Sequence, residues 1–246
     1  MKTHRVNALM AGIFYLLGSV FGILGLVVGG EVFSSISRCT PLSSPDLLGL
    51  VIADSSRLVN GSFFILLMGI SLVAMTVFLY PVFRKDSEEL AAGLLLFRGA
   101  IEGSWYVLTT LIALILFVLG KECVSARADV PALHSMIIVA YRSQDRLAPV
   151  GTLFFLIGST CLYLSFFRTR LIPRWLSVWG LIGVAPYMAY ALMHYFRVDG
   201  GIGLYLQMIL APQEMVMAFW LIIKGFNRDS IGKLMTASTG AVGDTP

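Results

Sequence analysis

Six stretches of the chain are apolar almost without interruption: Val6 to Val28, Ser62 to Val82, Ala91 to Leu119, Val150 to Phe167, Trp175 to Phe196 and Ile202 to Ile223. Each reaches the roughly 18 residues that a helix needs to cross hydrocarbon. A spanning segment must satisfy its own backbone polar groups, so runs of this length are predicted to be helices. The pattern therefore predicts an all-α integral membrane bundle of six transmembrane helices, forming one domain over residues 1–233.

The connections after the first and third stretches are long and carry a pattern of their own. From Pro45 to Asn60, Leu47, Leu48, Leu50, Val51, Ile52 and Leu58 are interrupted by Asp46, Asp54, Arg57 and Asn60. A second such segment runs from Pro131 to Leu147, with Arg142, Asp145 and Arg146 towards its end. Both predict amphipathic helices in the external loops, either capping the bundle or only shielding loop backbone. Residues 234–246 are small and polar and are expected to form a disordered tail.

Composition confirms the class and removes others. The 246 residues are 57% hydrophobic and only 13% charged, with mean hydropathy +0.84, whereas a soluble domain carries about 25% charged residues. The net charge of +4 does not indicate a nucleic-acid partner, because the basic residues are spread over the loops. Membrane lipid is the expected surrounding. Lys2, Arg5, Arg84, Lys85, Arg168, Arg170, Arg174, Lys224, Arg228 and Lys233 fall on one side, and Arg38, Arg57, Lys121, Arg127, Arg142, Arg146 and Arg197 on the other. The short connections 84–85 and 168–174 carry two and three of them, against Arg197 alone between the fifth and sixth stretches, which places both termini in the cytoplasm. The first stretch exceeds the core of about 7 to 15 residues found in a cleavable signal, so it is expected to stay as an anchor.

Polar residues within the apolar stretches carry the chemical interest. Arg98 and Glu102 lie four residues apart in the third stretch, and Glu214 lies midway along the sixth. An ionised group in lipid costs several kcal/mol, so each should turn towards protein or a wet cavity and find a partner. At helical spacing Arg98, Glu102, Trp105, Tyr106 and Thr109 share one broad face, with Arg98 about 6 Å along the axis from Glu102. Tyr187, Tyr190 and His194 repeat at the same spacing in the fifth stretch, and Gln207 precedes Glu214 by two turns in the sixth. Convergence of these stripes predicts a polar pocket between the third, fifth and sixth spans. One arginine balances one carboxylate, so the second acid is expected to hold a proton at neutral pH. The same residues can instead lock helix register and nothing more.

Other chemistry finds little support. His4, His134 and His194 are the only histidines, and none has metal-ligand spacing; CxxC, Walker, Rossmann and GxSxG patterns do not occur. No metal or cofactor is expected. Pro186 and Pro212 fall within spans and are expected to bend them. Gly18 and Gly22 read as a small-residue helix contact. Trp175 and Trp179 read as anchors at the cytoplasmic interface. Cys39 and Cys123 both fall in external loops, where a disulfide between them is an open expectation.

Four segments resemble a known family. They are YPVFRK at Tyr80 to Lys85, FRGAIEG at Phe97 to Gly103, RTRLIPRWLSVWGLIG at Arg168 to Gly183 and EMVMAFWLIIKGFN at Glu214 to Asn227. The chain resembles the bacterial membrane family called domain of unknown function 4386, most clearly in PRWLSVWG. The resemblance implies a multi-pass protein of a bacterial plasma membrane and carries no activity, substrate or catalytic residue. The segment around Cys39 is less similar, so a disulfide there would be peculiar to this member.

The leading expectation is a membrane protein whose pocket binds or moves a small solute or protons. A noncatalytic sensor or accessory subunit comes second. An embedded enzyme acting on a lipid-like substrate comes third.

Overall fold

A computed structural model describes residues 2–37, 42–53, 55–125, 130–198 and 203–240, and among these residues every regular element is helical. The helices are α1 (Lys2–Ser37), α2 (Ser44–Ala53), α3 (Ser55–Phe83), α4 (Glu88–Ser125), α5 (Val130–Thr169), α6 (Arg174–Tyr195), α7 (Gly203–Gln207), α8 (Leu210–Ile223) and α9 (Arg228–Gly240). Six of these are long and apolar enough to cross a membrane: α1, α3, α4, α5, α6 and the segment Tyr205–Ile223. The protein is a multi-pass membrane bundle.

The helices outrun the apolar stretches because helical hydrogen bonding continues after hydrophobicity ends. The segment Pro131–Leu147 is not a separate helix. It is the first half of the 40-residue α5, which carries Pro149 within it. Pro45–Asn60 is divided between α2 and the start of α3. Helix α2 packs into the bundle, with Leu47 and Val51 buried against Leu116, Leu119, Ile137 and Tyr141. Gly120 makes this approach feasible, since a Cβ there would lie 2.9 Å from the Val51 carbonyl oxygen. Helix α9 continues past Lys233 to Gly240, where composition suggests disorder, because Ile231 and Leu234 pack on the core.

Helices α1 and α3 meet through glycine. A Cβ on Gly61 would lie 2.5 Å from the Gly29 Cα, and one on Gly22 would lie 2.6 Å from the Met68 sulfur. Small residues allow this contact in lipid, where apolar surface gains little from leaving the solvent. Gly30 then takes φ 73 and ψ −155, interrupting α1. The Arg57 Nε–H donates to the Val28 carbonyl at 3.4 Å across the interruption.

The sixth span is broken at Met208 and Ile209. Pro212 therefore does not bend a helix interior as expected. It sits in the first turn of α8, where the backbone N–H it lacks would have no helical partner. Trp179, read as an interfacial anchor, donates from Nε1 to the Ile209 carbonyl at 3.1 Å and so satisfies the broken turn. At the far end of α8, Arg5 donates to the Ile222 and Ile223 carbonyls, and Gly225 turns the chain with φ 72. The start of α1 and the end of α8 thus lie together.

Candidate functional site

Arg98 is the centre of the polar interior. It lies in a π-helical turn, Leu94–Ile101, where the Glu102 backbone N–H donates to the Phe97 carbonyl five residues back. Such a turn inserts one extra residue into a helix and shifts the phase between its two halves. Two glycines accompany it. A Cβ on Gly99 would meet Thr76 Oγ1 at 2.8 Å, and a Cβ on Gly158 would meet the Arg98 backbone nitrogen at 2.7 Å. Without side chains there, α3 and α5 close tightly on the widened turn, and the Arg98 side chain is 2% exposed.

The guanidinium lies between the two acids. Its Nη1 is 3.5 Å from Glu102 Oε2 and donates to Ser159 Oγ at 2.9 Å. Its Nη2 donates to Tyr15 Oη at 2.8 Å and lies 3.4 Å from Glu214 Oε1. Tyr15 in turn donates to Glu214 Oε1 at 2.5 Å, and Tyr106 donates to Glu102 Oε1 at 2.8 Å. The Phe155 ring faces the guanidinium at 4.4 Å from its centroid, a cation–π contact. Two groups stay unsatisfied within this shell, Arg98 Nε and Glu102 Oε2, which are buried without a hydrogen-bond partner.

The cluster forms one end of a cavity of about 460 Å³. All five residues of the Arg98, Glu102, Trp105, Tyr106, Thr109 face line it, together with Tyr187, Gln207 and Glu214. Along α1 the lining runs from Tyr15 to Phe33, along α4 from Arg98 to Thr109, and along α5 from Phe155 back to Gln144. Each of these directions leads from Arg98 towards the end of the bundle that carries α2. On the side nearer the termini, Leu79, Phe83, Leu94, Phe166, Met217 and Leu221 form a packed core. The cavity therefore ends blindly at Arg98.

Sequence candidates from the fifth span divide. Tyr187 lines the cavity, whereas Tyr190 and His194 stack beside each other, ring centroids 5.7 Å apart. His194 Nε2 lies 4.0 Å from Asp145 Oδ1, and Arg197 donates to Asp145 Oδ2, a separate ionic group. Cys123 packs at the end of α4 with the residues around Tyr141; Cys39 lies outside the described residues. Groups of at least three histidine, cysteine, aspartate or glutamate residues able to hold a metal do not occur among the described residues.

Tyr15, Ser159, Tyr163 and Gln213 were not among the sequence candidates. Tyrosine and serine in an apolar run read as ordinary span residues, and only the partner across the interface gives them a role. Tyr163 lies over Gly180, whose added Cβ would be 2.6 Å from the ring, and donates to Gln213 Oε1 at 2.8 Å. Gln213 donates to the Leu176 carbonyl at 3.0 Å. This chain fixes α8, and with it Glu214, against α5 and α6.

The family model of domain of unknown function DUF4386 matches residues 10–225. The chain belongs to that family. No curated protein and no solved structure matches the chain. Three of the four segments that carry the DUF4386 resemblance contribute to the site or hold its helices in place. FRGAIEG is the π-helical turn with both Arg98 and Glu102. PRWLSVWG supplies Pro173 before α6, the Leu176 carbonyl, Trp179 and Gly180. The last segment begins at Glu214 and ends where Asn227 donates its backbone N–H to the Leu171 carbonyl.

Proposed function

We propose that this DUF4386 protein binds a small solute in the cavity above Arg98 and moves it, or a proton, across the plasma membrane of a bacterial cell. One observation carries the reading: the two acids and the arginine that lipid would expel meet at the blind end of a cavity of about 460 Å³. A cluster that served only to lock helices would be better packed shut. A cavity of this size lies within the roughly 300 to 1,000 Å³ range of small-ligand sites, and its mixture of apolar wall and few polar groups fits that use. Translocation then consists of closing the cavity on the far side of Arg98 and opening the packed core that now seals it, with both termini in the cytoplasm.

A second reading has its own support. The packed core between Arg98 and the terminal end leaves no path through the bundle, which fits a noncatalytic sensor that binds and does not transport. Proteoliposomes holding a pH-sensitive dye separate the two. Transport predicts internal pH changes driven by an imposed gradient and lost in Glu102→Gln and Glu214→Gln. Gradient-independent silence of the wild-type protein, with a ligand still bound, would assign it to sensing.

A further inference from the structure

The charges around Glu214 narrow the chemistry of the solute. We propose that it is a small organic cation, held against Glu214 and Glu102 in exchange for the proton that one of these carboxylates otherwise carries; this rests on the solute-binding reading above. The groups around Glu214 and the Arg98 guanidinium beside it are Tyr15 from α1, Arg98, Glu102 and Tyr106 from α4, Tyr163 and Ser159 from α5 and Tyr187 from α6. Among these, one cation stands against two carboxylates.

An anionic solute would leave two negative charges, its own and that of the ionised carboxylate, on a guanidinium already divided. Arg98 Nη1 serves Ser159 and Glu102, and Nη2 serves Tyr15 and Glu214. A cation meets the opposite situation. Glu102 Oε2, 1% exposed, has the Arg98 guanidinium 3.5 Å away and accepts no hydrogen bond. Glu214, whose Oε1 holds Tyr15 and Arg98, keeps 17% of its side chain exposed in the cavity wall. Trp105, Tyr106 and Tyr187 line the same space, and aromatic faces attract ammonium centres. The remaining wall is mostly apolar and suits an alkyl or aryl body.

The exchange balances. The cation enters, the carboxyl proton leaves to water, and the site's charge is unchanged. A neutral solute would leave the proton in place.

The full chain in detergent is titrated calorimetrically with choline, with the larger benzyltrimethylammonium, and with two isosteres of choline: uncharged 3,3-dimethylbutan-1-ol and anionic 3,3-dimethylbutanoate. Runs in two buffers of different ionisation enthalpy count the protons released. At least one cation is expected to bind about tenfold or more tightly than either isostere, releasing up to one proton, and Glu214→Gln is expected to weaken it by about tenfold or more while abolishing the release. Glu214→Asp should restore part of both. Equal binding of alcohol and cation, or cation binding indifferent to Glu214→Gln, would overturn the cation assignment and leave a solute pocket standing. No binding of any probe to protein whose circular dichroism shows a folded bundle would overturn both.

Discussion

Two of the protein's ionic groups look alike on paper and differ in their balance of charge. At the cavity floor, Arg98, Glu102 and Glu214 sit deep in the span, with Arg98 and Glu102 at 2% and 1% exposure and with more carboxylates than cations. Partway along α5 and at the end of α6, Asp145 meets Arg197 and His194; Asp145 and His194 are buried there, and Arg197 is 30% exposed. The outer group balances one acid with one arginine, whose guanidinium is part-exposed. The inner one has an unmatched acid and only protein or cavity around it. Desolvation is costly in both, and balanced charge offsets it in the second group, whereas in the first one acid has no cation of its own. That difference is what points to function at Arg98 and to helix fastening at Asp145.

Breaking the inner group should have the largest effect. Arg98→Ala leaves two buried acids without their shared cation and should destabilise the bundle by about 3 to 5 kcal/mol, read as loss of folded yield and a lower thermal midpoint in detergent. Arg98→Lys keeps the charge but not the two-sided geometry, and should fall between the two.

A substitution that leaves every charge in place sharpens the comparison. Gly158→Ala puts a methyl group 2.7 Å from the Arg98 backbone nitrogen, forcing α5 from α4 at a cost of about 1 to 3 kcal/mol. The same thermal measurement checks it. A neutral outcome would show that the π-helical turn has slack and that the Arg98 geometry is not set by close packing.

The outer group should respond least. Asp145→Asn leaves a neutral amide at a buried position and frees an arginine that is 30% exposed to turn to water, and should cost about 1 kcal/mol. Its thermal midpoint should stay close to wild type, while cation binding is unchanged. A loss as large as that of Arg98→Ala would erase the distinction between the two groups.

Much of this was legible in the sequence, for reasons that separate its parts. The six spans follow from hydrophobic length alone, which needs no knowledge of packing. Arg98, Glu102 and Glu214 stand out because hydrocarbon makes a charge conspicuous, and the helical face from Arg98 to Thr109 follows from spacing. Partners across interfaces are another matter. Tyr15 is one tyrosine in a long apolar run, and only the fold brings its hydroxyl 2.5 Å from Glu214. The π-helical turn leaves no periodic trace, since one extra residue in an apolar segment keeps it apolar. His194 shares a helical stripe with Tyr187, yet α6 turns it to Asp145 instead of the cavity. Trp179 had the composition of an interface anchor, and the break at Met208 and Ile209 gives it a carbonyl to serve.

Under the proposed function, water and solutes reach the floor of the cavity from the outer side and go no further than Arg98. Single cysteines at Gln207 and Thr109, in a background with Cys39, Cys123 and Cys161 replaced by serine, test it with a membrane-impermeant cationic methanethiosulfonate added outside intact cells; Thr76→Cys, buried in the packed half, is the control. Fast modification is expected at positions 207 and 109, slowed by a bound cation, and none at 76. Equal resistance at all three positions would contradict it.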